Sequence, residues 1–235
     1  MALKGEMKKE TRKTIYVGVN FIVSPPPGMG LESRLEFQRQ LSEENIELTD
    51  IKVDNQRLIA GRSNPMPIQI SIGLIAPTIG QLLIVAPELG GRSIEVFGEE
   101  ACDISKSFSN IWPRRQVLGC DVTIRDLYDA DSEHAFQEIW EGLLHQPTER
   151  MNAFGRPILG GGLRFVMPQT EAEPGQPVIE VKVESFLQDT HKVYLDVSCN
   201  WPTPQPIDFA LDPESRINYV DNFIQKQVID FVLGG

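Results

Sequence analysis

Apolar and polar residues alternate along several short stretches of the chain, a pattern typical of strands with one buried face. The clearest stretches are residues 15–23 and 68–74, where every second position on one side is apolar. Residues 178–188 and 192–201 are joined by a short polar link and form an expected antiparallel hairpin. The remaining predicted strands are 46–53, with a second piece at 57–60, then 82–86, 116–126 and 160–168.

Two segments have helical instead of alternating periodicity. Residues 93–112 place apolar side chains at steps of three and four, which predicts one buried stripe on a long helix that Pro113 ends. Residues 213–233 show the same stripe after Asp212, a suitable N-terminal cap. Shorter helices are predicted at 31–45 and at 131–145.

The order of these elements is β-α-β-β-β-α in residues 15–112 and again in 116–233. Neither half has enough strands to bury a large core alone, so the two halves are expected to share a sheet. We therefore predict an α+β fold in which pseudo-duplicated halves share one mostly antiparallel sheet, with the long amphipathic helices on one face. Residues 15–235 would be a single pseudo-symmetric domain, and residues 1–14 a basic flexible tail.

This duplicated order resembles two known families. In topology it is similar to the saddle fold of the TATA-box-binding protein, whose halves share one curved sheet. Leu118-Gly119, followed by Arg125, also resembles the strand that opens the second half in a sporadically distributed family of uncharacterised bacterial proteins of about this length. The second resemblance implies a bacterial source and no particular activity. The first does not imply DNA binding, because no phenylalanine is expected on the open sheet face.

Charge also argues against nucleic acid and against an anionic membrane as partners. The chain carries 22 basic and 33 acidic residues, a net charge of −11, although residues 1–14 are basic. It contains no apolar run long enough to cross a membrane and no convincing signal peptide. The three cysteines (Cys102, Cys120 and Cys199) are widely spaced and form no C-x-x-C pair. We expect free thiols and a cytoplasmic protein.

The sequence contains no recognisable catalytic, cofactor or metal site. Gly160-Gly161-Gly162 precedes a strand instead of a helix, so it does not match a phosphate-binding loop. His134 and His145 are too far apart on a predicted helix to share a metal ion, and His191 lies in a turn. We therefore predict no cofactor and favour a non-enzymatic role.

The polar face of the predicted sheet is the best candidate for function. The leading hypothesis is an adaptor, assembly or chaperone-like protein that binds a protein partner on this face; a merely solvated face would have the same composition. The alternative is a small-ligand-binding protein or enzyme at the junction of the halves, where Asp121, Arg125, Asp126, Tyr128 and Arg164 would converge. An uncovered edge strand or the helical layer could pair two copies. The candidate binding residues are Asn20, Gln69, Ser71, Asp121, Thr123, Arg125, Arg164, Glu180, Lys182, Glu184, Tyr194 and Asp196.

Overall fold

A computed structural model describes residues 7–54, 56–170, 175–202 and 211–233. In these ranges nine strands form one sheet in the order β2-β3-β4-β5-β1-β6-β9-β8-β7, and all neighbours are antiparallel. The predicted α+β class with a shared antiparallel sheet is confirmed. The strands are β1 Lys8–Ser24, β2 Asp50–Val53, β3 Arg57–Arg62, β4 Ile68–Ala76, β5 Ile79–Ala86, β6 Gln116–Asp129, β7 Gly162–Met167, β8 Val178–Ser185 and β9 Lys192–Trp201.

The helices form a second layer against this sheet. Helix α2 packs on α1 and on α4, and α4 also contacts β6 and β9. None of the helices in the described ranges is both long and apolar enough to cross a membrane. The helical elements are α1 Leu31–Glu43, α2 Ile94–Ile111, α3 Ala135–Gln137, a π-helical turn Glu138–Leu143, a 3-10 helix Thr148–Phe154, α4 Pro213–Phe223, a π-helical turn Ile224–Val228 and α5 Ile229–Leu233.

One continuous core lies between the two layers. The central strand β1 contributes Val19 and Phe21, both fully buried, and α2 contributes Phe97 and Ile104 from its predicted stripe. Burial of each such side chain stabilises the fold by roughly 1.5–3 kcal/mol. Since the core side of each strand is apolar, the alternating positions on the other side point away from the helices.

The strand order is symmetric about the β1–β6 pair. Strands β5, β4 and β3 follow β1 outward on one side, and β9, β8 and β7 follow β6 on the other. Strand β2 is an additional edge strand of the first half. Duplication of an ancestral half remains a prediction.

Three sequence-based boundaries are wrong. Residues 8–14 are not part of a flexible tail, because β1 begins at Lys8 and pairs with β6; residues 1–6 lie outside the described ranges. The helix predicted at 131–145 is only α3 plus a π-helical turn, so His134 and His145 do not share a long helix. The strand predicted at 116–126 is too short, because β6 continues to Asp129.

Candidate functional site

The twelve candidate residues lie on the sheet face that points away from the helices, here called the open face. Strand register brings them together: Asn20 is opposite Asp121, and Thr123 is opposite Ser198 of β9. Gln69 and Ser71 belong to β4, on the other side of β5 from these residues. Alternation within each strand explains why all twelve lie on one face.

A row of paired charges crosses the second half of the open face. Arg125 is opposite Asp196, Asp196 opposite Lys182, and Lys182 opposite Arg164. The Arg125 Nε lies 3.3 Å from Asp196 Oδ2, and the Lys182 Nζ lies 3.8 Å from the same oxygen. Glu180 lies two residues before Lys182 on β8 and contacts both Lys182 and Arg164. We call these five residues the charged ladder.

Glu180 joins the outer part of the charged ladder. Its carboxylate lies 3.2 Å from the Lys182 Nζ and 2.8 Å from an Arg164 amino group. These contacts hold the pKa of Glu180 below its ordinary value, first through the hydrogen bond from Arg164 and then through Lys182. The ladder holds three basic and two acidic side chains, and each basic side chain contacts a carboxylate, so the charges are mixed and paired instead of forming a patch of one sign.

Three aromatic side chains border the charged ladder. The Arg125 guanidinium carbon lies 4.6 Å from the centre of the Tyr16 ring, a cation–π arrangement. The Tyr194 hydroxyl donates to Asp196 at 3.1 Å, and burial raises the pKa of Tyr194 to about 12, so it remains a neutral donor. Phe186 stacks on Tyr194, with ring centres 6.1 Å apart. The expectation that no phenylalanine lies on the open face is therefore wrong.

The first half of the open face is more apolar. Ile59, Ser71, Leu83 and Asn20 are aligned across β3, β4, β5 and β1, and the row continues to Asp121. Ile59 and Leu83 are half-buried, and Ser71 is buried. The open face therefore changes from apolar to charged between β3 and β8.

Amide and carboxylate groups mark this transition at the centre of the sheet. The Asn20 amide donates to Asp121 at 3.5 Å, and Asn200 of β9 donates to the other Asp121 oxygen. The remaining candidate residue, Glu184, is opposite Tyr194 at the end of the hairpin. The amide nitrogens of Asn20 and Asn200 thus both reach Asp121 from the neighbouring strands.

The alternative site at the junction of the halves does not assemble. Asp126 and Tyr128 lie on the core side of β6, whereas Asp121 and Arg125 lie on the open face. Arg164 is on β7, separated from β6 by β9 and β8. Alternation along β6 therefore separates the β6 residues between the two faces of the sheet.

Asp126 instead belongs to a buried ion cluster that the sequence did not predict. Its carboxylate accepts hydrogen bonds from Arg12 Nε at 2.9 Å and from the Thr14 hydroxyl at 2.7 Å. An Arg12 amino group also lies 2.7 Å from Asp221 of α4. Burial raises the pKa of Asp126, while Arg12 and Thr14 oppose that rise. Both carboxylate oxygens are engaged, so Asp126 is a structural group linking β1, β6 and α4.

The cysteines and the metal-ligating side chains of the described residues are the groups that redox or metal chemistry would use. All three cysteines are free, and burial raises the pKa of Cys120 and of Cys199 to about 12. Among the described residues, no three histidine, cysteine or acidic side chains form a group suited to a metal ion.

Two clefts among the described residues lie away from the charged ladder. A cleft of about 510 Å³ is lined by Arg12, Lys13 and Arg92, but also by Glu88 and Asp221, so its charge is mixed. A second, of about 680 Å³, lies beside the 3-10 helix.

Comparison with known proteins assigns the chain to no family. No protein-family model matches the chain, and no match is found among curated proteins or solved structures.

Proposed function

We propose that this chain is a non-enzymatic adaptor or assembly protein that binds a protein partner on the open face. The observation that carries this proposal is the joint presence of the charged ladder, its bordering aromatics and the adjacent apolar row on a sheet face opposite the helices. The three free cysteines support a reducing compartment such as the cytoplasm for this activity.

A protein partner suits this surface better than a nucleic acid. Protein interfaces combine an apolar centre with aromatic and arginine side chains, and their polar rims carry paired charges. Tyr16, Arg125 and Phe186 provide the first kind of group, and Ile59 and Leu83 provide apolar area. A polyanion would require a surplus of positive charge, whereas the charged ladder is internally paired and the whole chain carries −11.

A small-ligand site at the junction of the halves has weaker support. The five residues that would form it are divided between the two faces of the sheet, and Asp126 is already engaged by Arg12 and Thr14. A ligand site normally combines concavity with convergent polar groups. The open face instead spreads its groups across neighbouring strands.

The proposal is tested by capture from the source lysate with matched charge variants. The open-face variant carries Glu180→Lys and Glu184→Lys. The control variant carries Glu44→Lys and Glu99→Lys, which change the net charge equally on exposed positions of the helical layer. Circular dichroism and thermal unfolding verify that both variants fold.

We expect a near-stoichiometric partner with the wild type and with the control, and its loss with the open-face variant. Equal binding by all three proteins would place the partner elsewhere. Loss with both variants would indicate a non-specific charge effect. If no protein is retained by the wild type at physiological salt, the adaptor proposal fails, and thermal-shift screening of small molecules becomes the informative experiment.

A further inference from the structure

Strand β7 is an apolar edge strand. In the described residues it pairs with β8 and has no strand on its other side. Phe165, Val166 and Met167 are 37%, 57% and 36% exposed, although residues of this type are usually protected at sheet edges. Phe231 of α5 lies edge-on against Phe165 with ring centres 5.3 Å apart and is itself 47% exposed.

The free hydrogen-bonding groups of β7 belong to alternate residues. The Ser185 N–H donates to the Gly161 carbonyl, so this pair is a hydrogen-bonded pair of the β7–β8 ladder. Because such pairs alternate in antiparallel sheets, Leu163, Phe165 and Met167 also direct their backbone groups toward β8. Arg164 and Val166 direct theirs away from β8, to the side on which the described residues place no strand.

We infer that β7 pairs antiparallel with β7 of a second copy of this chain, about a two-fold axis at Phe165. In this register Phe165 faces its own copy, and Leu163 faces Met167 of the other copy. Arg164 faces Val166, and these residues exchange four backbone hydrogen bonds across the axis. This inference goes beyond the proposed function and does not depend on it.

The sequence of β7 favours this register over its neighbours. A two-fold axis at Arg164 would place two arginines directly opposite each other, which destabilises a strand pair. An axis at Val166 would place Arg164 opposite Pro168, which has no N–H to donate. A register shifted by one residue would pair positions of opposite face, so Phe165 of one copy would no longer lie on the same face as Phe165 of the other.

A second copy also fits the side chains around the axis. On the helix side, Phe165 meets its own copy and Leu163 meets Met167 of the other copy, and together they form an apolar contact that Phe231 extends. The pair at Phe165 lacks direct backbone hydrogen bonds, so its side chains approach closely, which favours an aromatic pair. On the open face, Arg164 retains Glu180 of its own chain and meets an apolar partner. The open faces of two copies then form one continuous surface.

The mass in solution provides the first test. Light scattering with size-exclusion chromatography is expected to give twice the 26.4 kDa of the chain. Val166→Pro removes an N–H that points away from β8 and leaves the bonds to β8 intact, so it should yield a folded monomer. Val166→Thr keeps that N–H and serves as the control, expected to remain a dimer. A monomeric wild type, or a dimer that survives Val166→Pro, would overturn the inference.

Disulfide formation tests the register independently of stability. In a Cys102→Ser background, Phe165→Cys should form an intermolecular disulfide on mild oxidation, because directly opposed residues of this pair type have Cα atoms about 4.5 Å apart. Arg164→Cys is the control: its own copy is displaced by two residues, about 6.6 Å, along the strand and so lies beyond disulfide reach. Cross-linking of both variants, or of neither, would contradict the assigned register.

Discussion

Asp196 offers the sharpest test of whether the charged ladder is a preorganised structure. Its side chain is only 10% exposed, and its carboxylate meets Arg125, Lys182 and the Tyr194 hydroxyl. Asp196→Asn preserves the shape and one acceptor oxygen but removes the charge. Hydrogen bonds to charged groups contribute about 1.5–3 kcal/mol when buried, whereas exposed ion pairs contribute roughly 0.2–1 kcal/mol.

The partners of Asp196 are partly exposed, which reduces the expected effect. The side chains of Arg125 and Lys182 are 41% and 34% exposed, so water and salt weaken both interactions. We therefore expect Asp196→Asn to lower the free energy of unfolding by about 1–2 kcal/mol. For a chain of this length that corresponds to a fall in Tm of roughly 2–8 °C.

Urea unfolding followed by circular dichroism measures this change, with Glu184→Gln as the control on the same strand pair. A double-mutant cycle with Arg125→Gln isolates the Arg125–Asp196 interaction, for which we expect a coupling of about 0.5–1 kcal/mol. If Asp196→Asn destabilises no more than Glu184→Gln, or if the coupling is zero, the charged ladder is a solvated pattern and not an ordered network.

Three further predictions concern the core side of the sheet. Because burial raises the pKa of Asp126 in the folded protein, the wild type should lose stability relative to Asp126→Asn as pH rises from about 4; the opposite trend in urea titrations would refute this. The raised pKa values of Cys120 and Cys199 predict that a thiol reagent at mildly alkaline pH labels at most Cys102 in the native protein; rapid labelling of all three thiols would contradict it. Phe97→Ala should destabilise the fold by about 3–5 kcal/mol in urea, and a loss below 1 kcal/mol would show that its pocket is not close-packed.

Local periodicity predicted much of the secondary structure of this protein. The stripe on α2 and the alternation in β1, β4, β8 and β9 each follow from neighbouring residues, because helix and strand geometry repeat over a few positions. The same alternation, together with the assumption of one shared sheet, was sufficient to place all twelve candidate residues on a single face. Alternation itself is local, whereas the shared sheet was an assumption about how distant strands pair.

Tertiary structure decided what local patterns could not encode. Residues 8–13 resemble a charged tail because Lys8, Lys9 and Arg12 are polar, yet pairing of β1 with β6 makes them strand. Arg12 and Asp126 are separated by 114 positions, and their contact exists only because β1 and β6 are neighbours.

The same distinction holds for the sites. Arg125 and Asp126 lie on opposite faces because neighbouring residues of a strand alternate, and the extension of β6 to Asp129 also places Tyr128 on the core side. Likewise, the apolar residues of β7 resembled those of any buried strand. Their exposure depends on the strand order, which leaves β7 at the edge of the sheet. Strand order is set by packing and backbone pairing between distant segments, and these interactions leave no local period in the sequence.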